Sequence, residues 1–254
     1  MTSTGLTGML APPEAPTFSV VQSRGHAEPN WQHVWPIRKA VFWGGLGFQP
    51  SVEQIGKTTA EDGLPATVHF VVYKDSDAAE AGSGTTKKGE AVGVSRLRAV
   101  GPFWRVERVA VLASYRGFGL GGRLIRAMHT FTDGPGEPLL PMLFADEDAV
   151  GFYQRYGYTV VPRDAAAPGV PYTLPLESVT ARPHHCLVRL PTTAHAIAPL
   201  VANLRATQTR VSEGTECVVT DANDLLLLPM IIRWVEAALD SAGRVAQGEG
   251  GTTE

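Results

Sequence analysis

The sequence predicts an α/β (α+β) chain in which a mixed central sheet is flanked by helices and followed by a helical C-terminal extension. Three observations carry this expectation. Short β-rich runs alternate with amphipathic stretches, and some of the runs are joined by polar, hairpin-like connections, so the sheet should be mixed rather than purely parallel. One valine-rich run, Val106–Leu112, leads through a short polar connection into a glycine-rich turn and at once into a helical pattern. Helical periodicity then returns in residues 192–254.

The elements follow in order. Residues 1–16 are rich in proline and small residues and read as a mobile tail. Phe18–Gln22 is a first strand. Trp31–Phe42 carries apolar residues at helical spacing, with Asn30 placed to cap its start. Thr67–Tyr73 alternates and is β-rich; hydrophilic Lys74–Glu90 is a long hairpin loop leading to a strand at Ala91–Leu97. Phe103–Leu112 is the next strand, and Leu120–Phe131 the helix behind the glycines. Leu139–Phe144 is a short buried strand; Asp148–Tyr156 is a helix stopped by Gly157. Tyr158–Val161 and Cys186–Leu190 are the last strands. Between them, residues 162–183 form a proline-rich connection longer than most loops, open to reading as a substrate lid or a surface insertion.

Beyond residue 191, Asp224–Ala242 places Leu225, Leu228, Ile231, Ile232, Val235 and Leu239 on one helical face. That stripe must be buried, either on the chain's own core or on a second copy, so a homodimer through this region is one expectation. The last ten residues, rich in Gly, Thr and Glu, read as disordered.

Composition narrows the function classes. A hydrophobic content of 44% and a charged content of 19% describe an ordinary globular chain. The net charge of −3 supplies no basic footprint for nucleic acid. The longest apolar run, Leu225–Ile232, is far too short to span a bilayer, and no signal-peptide pattern opens the sequence. Cys186 and Cys217 have no paired spacing, which argues against a disulfide framework. A cytoplasmic protein is the expectation.

The turn Arg116-Gly117-Phe118-Gly119-Leu120-Gly121-Gly122 is the most informative stretch. Glycines tolerate φ > 0 and let a ligand approach the backbone. The first N–H groups of the helix lack intrahelical partners and lie at the positive end of its dipole. Together with the Arg116 guanidinium they make a site for phosphate or pyrophosphate. Gly117-x-Gly119-x-x-Gly122 also spells a dinucleotide pattern, but four residues separate it from the strand, and the nearest acids at the end of a following apolar strand, Asp146 and Glu147, lie too far downstream. No Gly-Lys-Ser/Thr follows, which excludes a Walker loop.

The alternative spelling, Arg-x-x-Gly-x-Gly on Arg116, Gly119 and Gly121, resembles the coenzyme A signature of the GNAT superfamily of N-acetyltransferases. Phe152-Tyr-Gln-Arg-Tyr-Gly-Tyr158 is similar to the superfamily's Phe-Tyr-x-Lys/Arg-x-Gly-Phe element. Ile37–Phe42 is similar to the first helix of many small members. His69–Tyr73, Val92–Arg98 and Pro183-His184-His185 fall where the branch has further strands. Val106-Glu-Arg-Val109 is similar to a strand of the glucosamine-phosphate N-acetyltransferases. The ordered resemblance covers residues 17–191 and implies one acetyltransferase domain on a mostly antiparallel sheet, with residues 192–254 as an extension.

The resemblance implies acetyl-CoA as co-substrate and no metal. It places pyrophosphate on backbone N–H groups of Gly117, Phe118, Gly119, Leu120, Gly121 and Gly122, with Arg116 and Arg155 toward the phosphates. The backbone of Val109, Ala110 and Val111 would pair with the pantetheine arm and polarise the thioester carbonyl. Glu107 is the candidate general base, two residues before Val109 and so expected on the same face; the plainer reading pairs it with Arg105 or Arg108. Tyr153 is the candidate acid for the departing thiolate. Asp146 stands where relatives commonly show an amide. Adjacent His184 and His185 point to opposite strand faces and do not chelate one metal easily; His69 reads as a structural, hydrogen-bonded residue. The activity so implied is direct acetyl transfer to a primary amine, a small molecule before a protein. The alternative is a non-catalytic acyl-CoA-binding or assembly protein.

Overall fold

The computed structural model describes residues 15–27, 31–47, 51–75, 89–136, 138–161, 184–213 and 222–246. Its strands are β1 (Phe18–Arg24), β2 (Thr67–Lys74), β3 (Ala91–Val100), β4 (Phe103–Val111), β5 (Leu140–Asp146), β6 (Tyr158–Val160) and β7 (His184–Arg189). They form one sheet of order β1-β2-β3-β4-β5-β7-β6. Neighbours are antiparallel except β4 and β5, which are parallel. The mixed, mostly antiparallel sheet is the expected one. Asn30, the loop core of residues 76–88, the connection of residues 162–183 and both termini lie outside the described residues.

Strand β2 shows why the sheet is covered on both sides. All of Thr67–Tyr73 is buried, and because successive side chains point to opposite faces each face needs its own cover. Val68, Phe70 and Val72 pack with Leu120, Leu124, Ile125 and Met128 of α3 (Leu120–Thr132). Leu124, Ile125 and Met128 are fully buried and contribute roughly 1.5–3 kcal/mol apiece. Val71 and Tyr73 meet Val34, Ile37 and Val41 on the other face. Val34 and Ile37 belong to α1 (Trp31–Arg38), which continues as a wider π-type turn over Lys39–Gly45. Pro36 lies within α1, where its ring removes one backbone donor and crowds the preceding turn.

One helix, α2 (Val52–Gly63), is not among the elements expected from the sequence. Its start was legible as Ser51-x-x-Gln54, a reciprocal capping box in which the Ser51 hydroxyl accepts from the Gln54 N–H at 3.2 Å and the Gln54 side chain accepts from the Ser51 N–H at 2.7 Å. The helix delivers Glu61 and Asp62 beneath the sheet.

The extension folds as α5 (Ala194–Ser212) and α6 (Ala222–Ala246). Ile197, Leu200 and Leu204 of α5 and Leu228, Ile231 and Val235 of α6 share one buried cluster with Phe103, Leu140, Met142, Cys186 and Val188 of the sheet. Leu228, Ile231, Ile232 and Val235 of the apolar stripe are thus buried together with residues of the chain's own β5 and β7. No helix among the described residues is long and apolar enough to cross a membrane.

Candidate active site

The site begins where two parallel strands part. Pairing of β4 with β5 is confined to Phe103–Arg105 against Leu140–Met142. Beyond it β4 stays with β3 as far as Val111, and β5 stays with β7 as far as Asp146. A wedge opens between Val106–Val111 on one side and Leu143–Asp146 on the other, with the backbone of Val109, Ala110 and Val111 on its β4 edge.

The glycine turn closes the wide end of this wedge. A 3-10 turn (Ala113–Tyr115) leads to Arg116, and Gly117 and Gly119 take φ of +89° and +71°, values that L side chains rarely adopt. Gly119 is the N-cap of α3, and no side chain caps the helix. Its first N–H groups therefore remain available to an anion. Built Cβ atoms on Gly117 or Gly119 would meet nothing within 4 Å, so the turn is open above them. Arg116 is exposed, its Nε donating to the Val111 carbonyl at 3.4 Å. These features fit a coenzyme A pyrophosphate.

Gly121 and Gly122 serve a different purpose. A Cβ on Gly122 would lie 1.9 Å from the Tyr156 hydroxyl, and one on Gly121 3.2 Å from Phe152 Cζ. Their small size seats residues of α4 (Glu147–Gln154) and the turn after it on α3. Leu120 is buried in the core and could offer a ligand only its backbone. Phe118 is exposed, with its ring 5.7 Å from that of Phe18. Arg155 is exposed at the surface, 5.9 Å from the Phe152 ring centre.

Tyr153 is half-buried, its ring 5.0 Å from Phe152 and 5.9 Å from Tyr158. Burial, and then the Asp146 carboxylate, push its phenol up to about 12. It is therefore a protonated donor at neutral pH. Asp146, at the end of β5, sits 2.9 Å from His184 Nε2.

Glu107 points into a buried ionic cluster on the face covered by α1 and α2. Arg96 Nε and Nη2 lie 2.8 and 2.7 Å from its Oε2, while Arg98 Nη2 and Arg105 Nη2 lie 3.1 and 3.8 Å from Oε1. Asp62 binds Arg38 at 2.7 Å and Arg96 at 2.9 Å; Glu61 binds Arg96 at 3.1 Å and Arg98 at 3.2 Å. Burial alone would raise the Glu107 carboxyl, but Arg96, Arg98 and Arg105 outweigh it and hold the group well below the usual carboxylate range. His69 is fully buried, and burial and Arg38 bring it down to about 4. Its Nε2 lies 3.1 Å from the Asp62 carbonyl, which can only accept, so Nε2 carries the proton and Nδ1 faces Arg38 at 3.5 Å. The structural reading of His69 agrees with this geometry.

The strand alternation behind the Glu107 expectation does not survive. Register between β3 and β4 shifts at Val94/Arg96, so the two residues Arg108 and Val109 stand opposite the one residue Ser95. Arg108 takes φ +55°, a left-handed value for a side-chain-bearing residue, at a cost of about 1–3 kcal/mol. The bulge turns Val109 toward the cluster under α3 while Glu107 faces α2. The two are on opposite faces. Nor is Arg108 the partner of Glu107; Arg96, Arg98 and, at longer range, Arg105 fill that role.

Five members of this cluster were not foreseen as site residues: Arg38, Glu61, Asp62, Arg96 and Arg98. Arg96 and Arg98 carried a signal, being charges at alternate positions inside an apolar strand. Asp62 was hidden with its helix. No group of three or more His, Cys, Asp or Glu among the described residues could hold a metal.

The GNAT acetyltransferase domain family matches residues 65–160, which include β2 to β6 and the glycine turn. A Bacillus subtilis protein named for an inferred acetyltransferase activity is 34% identical over 83 residues, 33% of this chain and 56% of that protein. The uncharacterized N-acetyltransferase YjcF of the same organism is 32% identical over 83 residues, 32% of this chain and 58% of that one. The chain thus spans little more than half the length of these curated relatives. Among solved structures, an acyl-CoA N-acyltransferase from Pseudomonas aeruginosa is similar over 69% of this chain and 100% of its own, with 17% identity and a TM-score of 0.48.

Proposed function

Because this chain belongs to the GNAT superfamily through residues 65–160, we propose that it is an N-acetyltransferase that moves an acetyl group from acetyl-CoA directly to a primary amine on a small molecule. The observation that carries this reading is the wedge between β4 and β5, bordered by the uncapped, glycine-entered start of α3. A strand edge and an anion site at that spacing suit an acyl carrier with a pyrophosphate at one end.

The amine nitrogen attacks the thioester carbonyl, the C–S bond breaks, and the thiolate takes a proton. Backbone N–H groups at the β4 bulge polarise the carbonyl. Tyr153, protonated well past neutral pH, supplies a hydrogen bond and then a proton to the departing sulfur. Glu107, held as a carboxylate by its arginines, is a weak base; it acts by orienting the amine or a water that carries the ammonium proton to solvent.

The test is release of free thiol from acetyl-CoA in the presence of a broad panel of primary amines. Transfer by the wild type is expected. Arg116→Ala should weaken acetyl-CoA binding about tenfold or more, since one charged hydrogen bond contributes roughly 1.5–3 kcal/mol. Acetyl-CoA that stabilises the protein in thermal unfolding without any acceptor ever being acetylated would favour the binding-only alternative.

A further inference from the structure

Arg108 is the residue of the buried cluster that the chain itself leaves unexplained. The carboxylates around it already have partners: Glu107 has Arg96, Arg98 and Arg105, Asp62 has Arg38 and Arg96, and Glu61 has Arg96 and Arg98. Among the described residues the Arg108 guanidinium has no hydrogen-bond or ion-pair partner, although it lies within electrostatic reach of Arg96, Arg38, Glu107, Asp62 and Glu61. Among the described residues five guanidiniums share this pocket with three carboxylates, Arg105 having a further partner besides Glu107, and His69 is neutral. Arg108 thus adds a positive charge in a half-buried place where water screens it poorly.

The backbone reinforces the point. Arg108 is the sole side-chain-bearing residue with positive φ among the described residues. It sits on the β4 bulge, next to Val109 on the β4 edge of the wedge. A cation placed against other cations, on strained backbone beside a reaction site, opposes folding unless an anion arrives to use it. The forked guanidinium matches a carboxylate or a phosphate and gains most where desolvated.

We propose that Arg108 receives an anionic group, a carboxylate or phosphate, carried by the acceptor amine. The acceptor is thereby an amino acid or a phosphorylated amine, and polyamines and neutral amino sugars are disfavoured. This rests on the acetyltransferase reading above; the anion site itself can be tested without turnover.

Two experiments separate them. In the first, transfer is compared for matched acceptors: glutamate and glycine against their amides, and glucosamine 6-phosphate and phosphoethanolamine against glucosamine and ethanolamine. Spermidine represents the cationic class. At least one charged member should exceed its neutral twin by tenfold or more in kcat/KM, and whether the carboxylate or the phosphate pairs show it identifies the anion. Arg108→Gln should erase that preference through KM and leave the KM for acetyl-CoA unchanged, with Arg108→Lys intermediate. Equal use of charged and neutral acceptors, preference for spermidine, or a uniform loss across the panel in Arg108→Gln would overturn the proposal.

In the second, thermal unfolding is followed in inorganic phosphate, and separately in acetate, against chloride at matched ionic strength. Stabilisation of the wild type that disappears in Arg108→Gln supports the site even if no acceptor is found. Identical behaviour of wild type and Arg108→Gln in both anions removes it. Acetyl-CoA in a parallel arm reports on the acetyltransferase reading alone.

Discussion

Arg96 and Glu107 face each other across β3 and β4, with both Nε and Nη2 of the arginine within 2.8 Å of one carboxylate oxygen. Arg96 also holds Asp62 and Glu61, so one fully buried side chain ties the centre of the sheet to α2. Replacing it by methionine would keep much of its stem but leave three carboxylates short of a partner. The expected loss is about 3–5 kcal/mol of unfolding free energy, measured by urea denaturation. A loss within the scatter of surface substitutions would mean that the cluster is far more hydrated than its burial indicates.

Stability should depend on pH through two histidines. His69 and His129 are both lowered to about 4, by burial first and then by Arg38 and Arg189 respectively. In the unfolded chain each titrates near 6.5. The folded state binds fewer protons in that interval, so the stabilisation is complete above about pH 6.5 and is lost as the pH falls toward 4. The urea midpoint should decline across that window, with about half the slope in His69→Asn. A midpoint that stays flat to pH 4.5 in the wild type would contradict this assignment.

Tyr153→Phe removes the proposed proton donor while keeping the ring that packs on Phe152 and Tyr158. Turnover should drop about a hundredfold, the lower range for loss of a general acid, with the KM for acetyl-CoA unchanged. Since the phenol titrates near 12, the wild-type rate should show no basic limb from this group up to pH 10. Unchanged turnover in the variant would move the acid elsewhere.

The extension shares its core with the central sheet. Ile231 is fully buried in α6 within the cluster that includes Met142 and Val188. Ile231→Ala should cost about 2–5 kcal/mol and shift the whole denaturation curve. Two separate transitions, with the acetyl-CoA-responsive one untouched, would show instead that residues 192–254 fold apart from the sheet.

Local chemistry explains what could be read along the chain. The glycines at 117 and 119 announce left-handed backbone before a helix, and both are found there. Runs such as Thr67–Tyr73 announce strands because covering by helices on both faces demands apolar residues at nearly every position. Helix α2 was missed because its apolar face is weak and its polar residues include the two acids that bind arginines under the sheet; only the Ser51–Gln54 box marked it. The strand phase of Glu107 was misjudged for a related reason. Alternation is a local rule, and a bulge is a decision made by two strands together.

By itself, then, the order of residues determined a mixed sheet, an anion-ready turn at the head of α3 and a resemblance to acetyl-CoA-using enzymes, since each depends on periodicity or on residues adjacent in the chain. Tertiary structure alone decided which face Glu107 occupies, which arginines hold it and where the C-terminal stripe is buried. Those outcomes depend on contacts between residues as far apart as Arg38 and Asp62, or Ile231 and Met142, whose meeting is set by strand register and helix packing. The charge environment of Arg108 belongs to the same category: it is built from four elements, and no single stretch of the chain records it.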